Sequence, residues 1–462
     1  MPDTRETEVA IVGAGLAGLA AARRLTASGI DCVLLEARDR VGGRTLNHPI
    51  GDGKIVEVGG QWVGPTQTRV LELIRELGLE SFPTYNRGEH VIEYDGALHR
   101  YTGTIPRISK RLLADFGQAQ WRLDRMAKKV PAEAPWTASK AKEWDSQTLW
   151  SWMRRNVVTK GARDALSLGV EAVWAAQPED ISLLHALFYI SSAGGLDALW
   201  DTEGGAQDAR VVGGTQLISI RMAEELGDRV VLEAPVRRIA YGEADRVTVH
   251  ADGLDVEARR VIVAMPPTLT CRIAYDPPMP ALRDQLTQRI PQGTVIKCMA
   301  IYDRPFWRAR GLTGQATSTD GPVKLTFDNS PPDGAPGVLL GFLEGTQARE
   351  LGAWEPARRR AAVIDCFARL FGDEARAALD YVDKSWADEE WTRGCYGCYM
   401  PTGAWTAYGP QLRAPVGPIH WAGAETATVW SGYMDGAVRS GDTAADTVAA
   451  SLSGARERFA AA

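Results

Sequence analysis

Near the N-terminus an apolar run, Glu8 to Val12, ends in Gly13-Ala14-Gly15-Leu16-Ala17-Gly18. An Ala-rich stretch, Leu19 to Leu25, then reads as a helix. Cys32-Val33-Leu34-Leu35 reads as a second strand, ended by Glu36. Strand, glycine turn, helix, strand and acidic residue in this order form a βαβ dinucleotide-binding unit. The glycines permit a tight turn and let the backbone approach a pyrophosphate, and the helix N-terminus beyond them offers free N–H groups and the positive end of a dipole. Glu36 lies about 20 residues on, where a carboxylate can accept hydrogen bonds from a ribose. Gly13, Ala14, Gly15, Gly18 and Glu36 are therefore the first candidate binding residues. The bland alternative is a βαβ unit that holds no ligand.

The fingerprint alone does not separate NAD from FAD. Directly after Glu36 comes Arg38-Asp39-Arg40-Val41-Gly42-Gly43-Arg44. Two glycines ahead of an arginine suit a second approach to the pyrophosphate, with Arg44 neutralising it; otherwise this is a surface turn with solvated arginines. A further glycine pair stands inside an apolar and aromatic run, Val58-Gly59-Gly60-Gln61-Trp62-Val63-Gly64-Pro65-Thr66-Gln67. Glycine within such a run often marks close approach of a ligand or another backbone.

The chain has 462 residues, 45% hydrophobic and 24% charged, enough for a large core in two or three domains. A net charge of −6 argues against a nucleic-acid partner. Six cysteines are too sparse for a disulfide framework. The start is acidic rather than basic, and no stretch reaches the length of a membrane span. The expectation is a soluble cytoplasmic protein with no membrane association.

With these segments in view, the sequence resembles the flavin-dependent monoamine oxidase family, in a soluble bacterial-type form. Glu36 to Thr45 looks like the family's adenosine and pyrophosphate segment, and Val63-Gly64-Pro65-Thr66-Gln67 like its flavin-approach segment. Ile262-Val263-Ala264-Met265-Pro266-Pro267, Val295-Ile296-Lys297-Cys298, Arg304-Pro305-Phe306-Trp307 and Gly394-Cys395-Tyr396 continue the match. The tail, Ala422-Gly423-Ala424-Glu425-Thr426-Ala427 with Trp430-Ser431-Gly432-Tyr433, is the most specific part. The resemblance implies an α/β fold: a Rossmann-like FAD-binding domain of glutathione-reductase type with an interleaved α+β substrate domain. The FAD-binding domain would take residues 1–83, 210–292 and 387–462, and the substrate domain 84–209 and 293–386. Short strands are expected at Val231-Leu232-Glu233, Val236 to Ile239, Val247 to His250 and Arg260 to Val263. Helices are expected at Ile108–Lys129, Ala357–Phe371 (with Val363, Phe367 and Leu370 on one face) and Gly436 to Val448.

The implied chemistry is oxidative deamination. A hydride equivalent passes from the amine-bearing carbon to flavin N5, the imine hydrolyses to aldehyde or ketone and ammonia, and O2 reoxidises the flavin to give H2O2. The partners would be a small-molecule amine and O2, with a homodimer as the allowed assembly. Lys297 stands alone in an apolar run, Thr294 to Ala300, and buried lysine is costly. By resemblance it is the lysine that holds a water against N5; otherwise it is an edge-strand gatekeeper charge. Tyr396 and Tyr433 match the family's aromatic pair, whose ring faces orient an amine, and the alternative is two core tyrosines. Trp386 matches a tryptophan beside the flavin. Arg38, Gly43, Gly60, Gln61, Val236, Gly423, Ala424 and Met434 complete the implied cofactor contacts. Trp62, Trp200, Gln207 and Leu325 are the implied substrate-cavity residues, with no obvious carboxylate for a diamine's far end and no clear arginine for an amino acid.

Cys395 matches the cysteine that forms a thioether to the flavin 8α-methyl, although many bacterial relatives hold FAD without that bond. Cys395 and Cys398 also have the spacing of half a zinc site or a redox pair, but without a second pair or a thioredoxin-like context. The six histidines show no metal spacing. Two other functions stay open. One is an L-amino acid or polyamine oxidase on the same scaffold. The other is a non-catalytic flavoprotein interaction module, whose long helical arms or added domains are not seen in the sequence.

Overall fold

The computed structural model describes residues 3–103, 109–242 and 245–460, with side chains as far as residue 453. Ile108, and the outer bounds Met1 and Ala462 of the expected segments, lie outside the described residues.

Three short strands show why the apolar runs are unbroken. In Val9–Val12, Val9 and Ile11 pack among helices, while Ala10 and Val12 pack against another sheet. Cys32–Leu35 and Arg260–Ala264 alternate in the same way. A strand covered on both faces has no position left for a polar residue. These strands sit at the centre of a five-stranded parallel sheet. Its order is Val230–Val231, Cys32–Leu35, Val9–Val12, Arg260–Ala264, Ile419–Ala422. The helices Leu16–Ala27, Gln216–Leu226 and Met434–Ala460 cover one face. A second sheet, Asp3–Glu6, Leu254–Ala258, Val247–Ala251, Val236–Tyr241, Ala274–Asp276, covers the other. The carboxyl ends of the parallel strands open onto the cavity described below, as in other open α/β sheets.

A seven-stranded sheet builds the far wall of that cavity. Its order is Asp380–Ser385, Val295–Tyr302, Gly337–Glu344, Leu325–Asp328, Leu312–Ser318, Glu89–Tyr94, Ala97–Tyr101. Val295–Tyr302 is an interior strand, hydrogen-bonded on both sides, so the gatekeeper explanation of Lys297 does not hold. Helix Pro356–Phe371 packs on this sheet through Val363, Phe367 and Leu370, as its spacing predicts. A helical core from Lys110–Ala127, Lys160–Trp174 and Leu183–Ala193 closes the remaining side, and Tyr399, Met400, Ala404, Trp405 and Leu412 pack into it. Among the described residues no helix is long and apolar enough to cross a membrane.

Several boundaries differ from the sequence reading. The first helix starts at Leu16, within the glycine turn, because Gly15 is already its extended N-cap. Only Val231 of Val231-Leu232-Glu233 is in a strand. Leu232 is exposed and Glu233 has φ 54°, which breaks the extended run. The closing helix starts at Met434 and runs far past Val448, to Ala460. The helix read as Ile108–Lys129 spans Lys110–Ala127, and the Ser109 side chain caps it.

Gly18 has its role in packing. A Cβ there would stand 1.9 Å from the Gly13 carbonyl oxygen and 3.3 Å from the Ala264 side chain. Gly18→Ala must push the first helix off the parallel sheet, and overpacking of this kind costs roughly 1–3 kcal/mol. Denaturant unfolding should show that loss; an unchanged midpoint would contradict the close contact.

Candidate active site

The parallel sheet, the seven-stranded sheet and the helical core enclose one elongated cavity of about 1130 Å³. This exceeds the usual volume of a pocket for a single small ligand. At one end, Glu36 is buried and holds the glycine turn in shape. Its Oε2 accepts the Ala14 N–H at 2.8 Å and its Oε1 the Arg38 N–H at 3.0 Å. A carboxylate has about four lone-pair sites, so acceptor capacity remains for a ribose. Arg38 Nε is buried without a hydrogen-bond partner in the protein, a donor available to a ligand. Gly15 and Gly43 face each other so closely that a Cβ on Gly43 would stand 3.3 Å from the Gly15 Cα. Carboxylate, orphan donor and glycine cradle together fit the ribose and pyrophosphate of a dinucleotide.

Arg44 has a partner within the protein that its sequence surroundings do not announce. It lines the cavity, but its guanidinium is paired within the protein. Nη1 donates to Glu425 Oε1 and to the Tyr396 carbonyl, both at 2.6 Å, and Nη2 donates to Glu425 Oε2 at 3.1 Å. Burial opposes the Glu425 charge, but Arg44 overcomes it and holds the carboxyl below the usual range. Glu425 Oε1 also accepts the Cys398 N–H. The pair therefore fastens the 395–398 segment, in which the Cys395–Tyr396 peptide is cis.

Deeper in the cavity stands Lys297, 4% exposed. Its ammonium faces three acceptors: the Glu57 carbonyl at 2.6 Å, the Gly59 carbonyl at 2.8 Å and the Gln61 side-chain oxygen. Three acceptors match three N–H donors. Burial pushes the lysine down to about 7, with the Glu57 carboxylate pulling it up and Arg210 adding to the fall. Gln61 is oriented by Asn329, whose Oδ1 accepts its amide at 2.7 Å. Glu57 is itself paired with buried Arg210 at 2.5 Å. Trp62 and Phe342 place their rings 5.5 and 5.9 Å from the Lys297 nitrogen.

Aromatic rings wall the adjoining space in two arcs. Phe327, Trp62, Phe342 and Tyr396 follow one another at centroid distances of 4.8, 6.0 and 6.4 Å. Tyr433 packs edge-on to Trp430 at 4.9 Å and lies 5.9 Å from Tyr189. Trp200, Gln207 and Leu325 line the cavity further out. So do Asp197, Asp201 and Lys324, which corrects the expectation of a cavity without carboxylates. The two aspartates belong to the short helix Leu196–Trp200 and its C-cap, in a stretch with no sequence signature. Burial, then Asp197, pushes the Asp201 carboxyl up.

The structure brings together every predicted site residue on the lining of this cavity except Ala14 and Gly18. Ala14 braces the turn through its backbone, and Gly18 is a packing contact. Sequence reasoning missed Glu57, Arg210 and Asn329. Only the charged Glu57 within Val56-Glu57-Val58 offered a signal, the same one that exposed Lys297.

A cavity that takes a dinucleotide at one end and confines a small molecule between aromatic rings at the other belongs to an oxidoreductase. Comparison with known proteins narrows the class. The chain belongs to the flavin containing amine oxidoreductase family, which it matches over residues 16–449. It is 47% identical over 445 residues to a Mycobacterium tuberculosis protein carried under the name flavin-containing monoamine oxidase AofH, covering 96% of this chain and 97% of that one. Among solved structures it is similar to wild-type putrescine oxidase bound to putrescine. The TM-score is 0.94 at 38% identity, covering 97% of this chain and 100% of that one. Cyclohexylamine oxidase from Brevibacterium oxydans IH-35A aligns with a TM-score of 0.93 at 33% identity, covering 97% and 99%. The protein is a flavin-dependent amine oxidase with the amine oxidase fold, FAD is its cofactor, and small-molecule amines are its substrates.

The Arg44–Glu425 pair can be tested. Glu425→Gln leaves Arg44, whose side chain is 21% exposed, without its counter-charge, which costs at most about 3–5 kcal/mol. The Glu425 contribution is complete above its unfolded value of about 4.3 and lost as pH falls through the lower folded value. Denaturant unfolding should show both the loss at neutral pH and a weaker acid dependence in the variant. Equal stability of the two proteins at pH 7 would contradict the pairing.

Proposed function

We propose that this enzyme deaminates small primary amines with dioxygen as the electron acceptor. Bound FAD would supply the acceptor for the hydride equivalent of the amine-bearing carbon and the route for its electrons to O2, giving H2O2. The remaining work belongs to the chain. Glu36, Arg38, Gly43 and the glycine turn would hold the nucleotide, and Gly60, Gln61, Trp386, Gly423, Ala424 and Met434, which line the same cavity, would hold its ring system. Tyr396 and Tyr433 orient the neutral amine between their ring faces. Trp62, Trp200, Gln207 and Leu325 set the shape of the substrate space. Lys297, held in place by three acceptors, sets a positive charge beside the space where dioxygen would be reduced. The observation that carries this reading is one cavity shared by a buried lysine and two tyrosines.

A second reading is an oxidase of amines that carry another cation, and Asp197 and Asp201 on the cavity lining favour it. A peroxide assay over benzylamine, hexylamine, cyclohexylamine, putrescine and leucine separates the readings. Turnover of the monoamines supports the first, and turnover of putrescine alone supports the second.

We assign Met1–Pro83, Arg210–Gln292 and Ala387–Ala462 to the FAD-binding domain, and Thr84–Ala209 with Gly293–Trp386 to the substrate domain. The six unpaired cysteines support a reducing, cytoplasmic location. A homodimer is the assembly that the resemblance implies, and sedimentation checks it.

Lys297→Met should keep the fold and the flavin but slow reoxidation by O2 on the order of 100-fold, as loss of one pre-organised electrostatic group does. Stopped-flow reoxidation at the wild-type rate would remove Lys297 from that role.

Cys395 is our proposed attachment point for FAD. Burial pushes its thiol up to about 12 while Arg44 and, to a smaller extent, Lys297 pull it down, so these two cations favour the reactive thiolate. Acid denaturation should leave the flavin on the wild-type polypeptide and release it from Cys395→Ala. Flavin that washes off the wild type refutes the bond and leaves the amine oxidase assignment untouched.

A further inference from the structure

Behind the cavity wall, and not on its lining, lies a carboxyl group that the reading above does not use. Glu344 ends the strand Gly337–Glu344 and is 1% exposed. The preceding residues, Gly337 to Leu343, are all apolar and buried, so packing alone would favour leucine at this position. Burying a carboxyl instead carries a desolvation cost that only specific bonds offset. Glu344 makes one such bond: its Oε1 accepts the Tyr396 hydroxyl at 2.7 Å. Its Oε2 has no partner. Burial pushes the carboxyl up to about 8, with the Tyr396 hydrogen bond opposing and the charge of buried Glu171 adding. An oxygen of either protonation state can accept the phenol proton.

Tyr396 is thereby held at both ends. Arg44 donates to its backbone carbonyl at 2.6 Å, and Glu344 receives its hydroxyl. Between these anchors its ring lies on the cavity lining, edge-on to Phe342. A phenol that donates to a carboxyl group cannot rotate its ring freely, and the polarised O–H leaves the ring face more electron-rich. Both effects strengthen a surface that attracts the positive end of an amine.

We propose that Glu344 is a positioning residue for amine oxidation: it fixes the Tyr396 ring as one wall of the amine site by accepting its hydroxyl proton. This rests on the reading of Tyr396 as a cage wall. Glu344 touches neither substrate nor cofactor and acts through Tyr396 alone.

The test is a double-mutant cycle on the holoenzyme, read by anaerobic stopped-flow reduction with the fastest amine of the peroxide panel, starting from benzylamine. Glu344→Leu should slow flavin reduction about tenfold, the worth of one buried hydrogen bond. Glu344→Gln, whose amide oxygen still accepts, should restore most of the rate. In a Tyr396→Phe background, where the hydroxyl is gone, neither Glu344 variant should slow reduction further. Reoxidation by O2 serves as the control and should keep its rate in the Glu344 variants. The same tenfold loss in the Phe background would overturn the proposal, as would Glu344→Gln reduced as slowly as Glu344→Leu. If Glu344→Leu fails to fold, Glu344→Gln in the two backgrounds carries the cycle, with a smaller loss expected in the Tyr396 enzyme only. Tyr396→Leu separates the two readings: unchanged reduction there refutes the cage itself, whereas slowed reduction without Glu344 coupling refutes only the positioning role.

Discussion

The Arg44–Glu425 ion pair is the contact on which the reactive end of the cavity depends. Arg44 follows the glycine pair Gly42-Gly43, Glu425 lies in the C-terminal tail, and their bonds to the Tyr396 carbonyl and the Cys398 N–H recruit a third stretch of chain. Ion pairs this buried seldom add net stability, because desolvation consumes most of the Coulombic gain. What the pair supplies is register. The bidentate geometry fixes Arg44 against Glu425, and the additional bonds fix Cys395 and Tyr396 relative to both. Gly423 and Ala424, the two residues before Glu425, line the cavity opposite the same segment. A charged clasp specifies this arrangement more narrowly than apolar packing could, since an apolar contact tolerates sliding.

A second network starts from Lys297. The sequence exposes this residue because a lone ammonium in an apolar strand calls for an explanation. Its partners were not visible in the same way. Two of its acceptors are backbone carbonyls, of Glu57 and Gly59, and backbone acceptors carry no residue-type signature. The third, Gln61, was assigned to the cofactor, and Asn329, which orients it, lies 268 positions away. Glu57 ends a strand of a separate two-stranded sheet, 240 positions before Lys297, so only the tertiary fold brings the two together.

The same distinction governs how much of the molecule was legible. The βαβ unit could be read because strand, turn, helix and strand are contiguous, and each glycine answers a local steric demand. Gly18 was read with its neighbours as a nucleotide contact; the structure gives it to helix–sheet packing, which the same spacing also requires. Helix Pro356–Phe371 was legible because its buried face repeats within one element. Arg44 is legible as a cavity residue, but its partner is not, since nothing near it in sequence points to a carboxylate 381 positions away. Asp197 and Asp201 went unread because a five-residue helix has too few turns to show a face.

The two tyrosines of the amine site are held by different physics. Tyr396 is fixed through its carbonyl and its hydroxyl, by an arginine and a carboxyl group that both lie outside the amine site's aromatic walls. Tyr433 is framed by rings, edge-on to Trp430 and tilted against Tyr189. Hydrogen bonds set the angle of a ring within narrow limits, whereas aromatic packing sets mainly its position. One wall is therefore fixed in orientation, and the other can adjust as its neighbours repack. On the proposed function, a fixed wall beside Cys395 would keep an amine aligned with the cofactor, and an adjustable wall would let substrates of different girth share one alignment. Breadth of substrate in such a pocket then resides on the Tyr433 side, and the geometry of the reaction on the Tyr396 side.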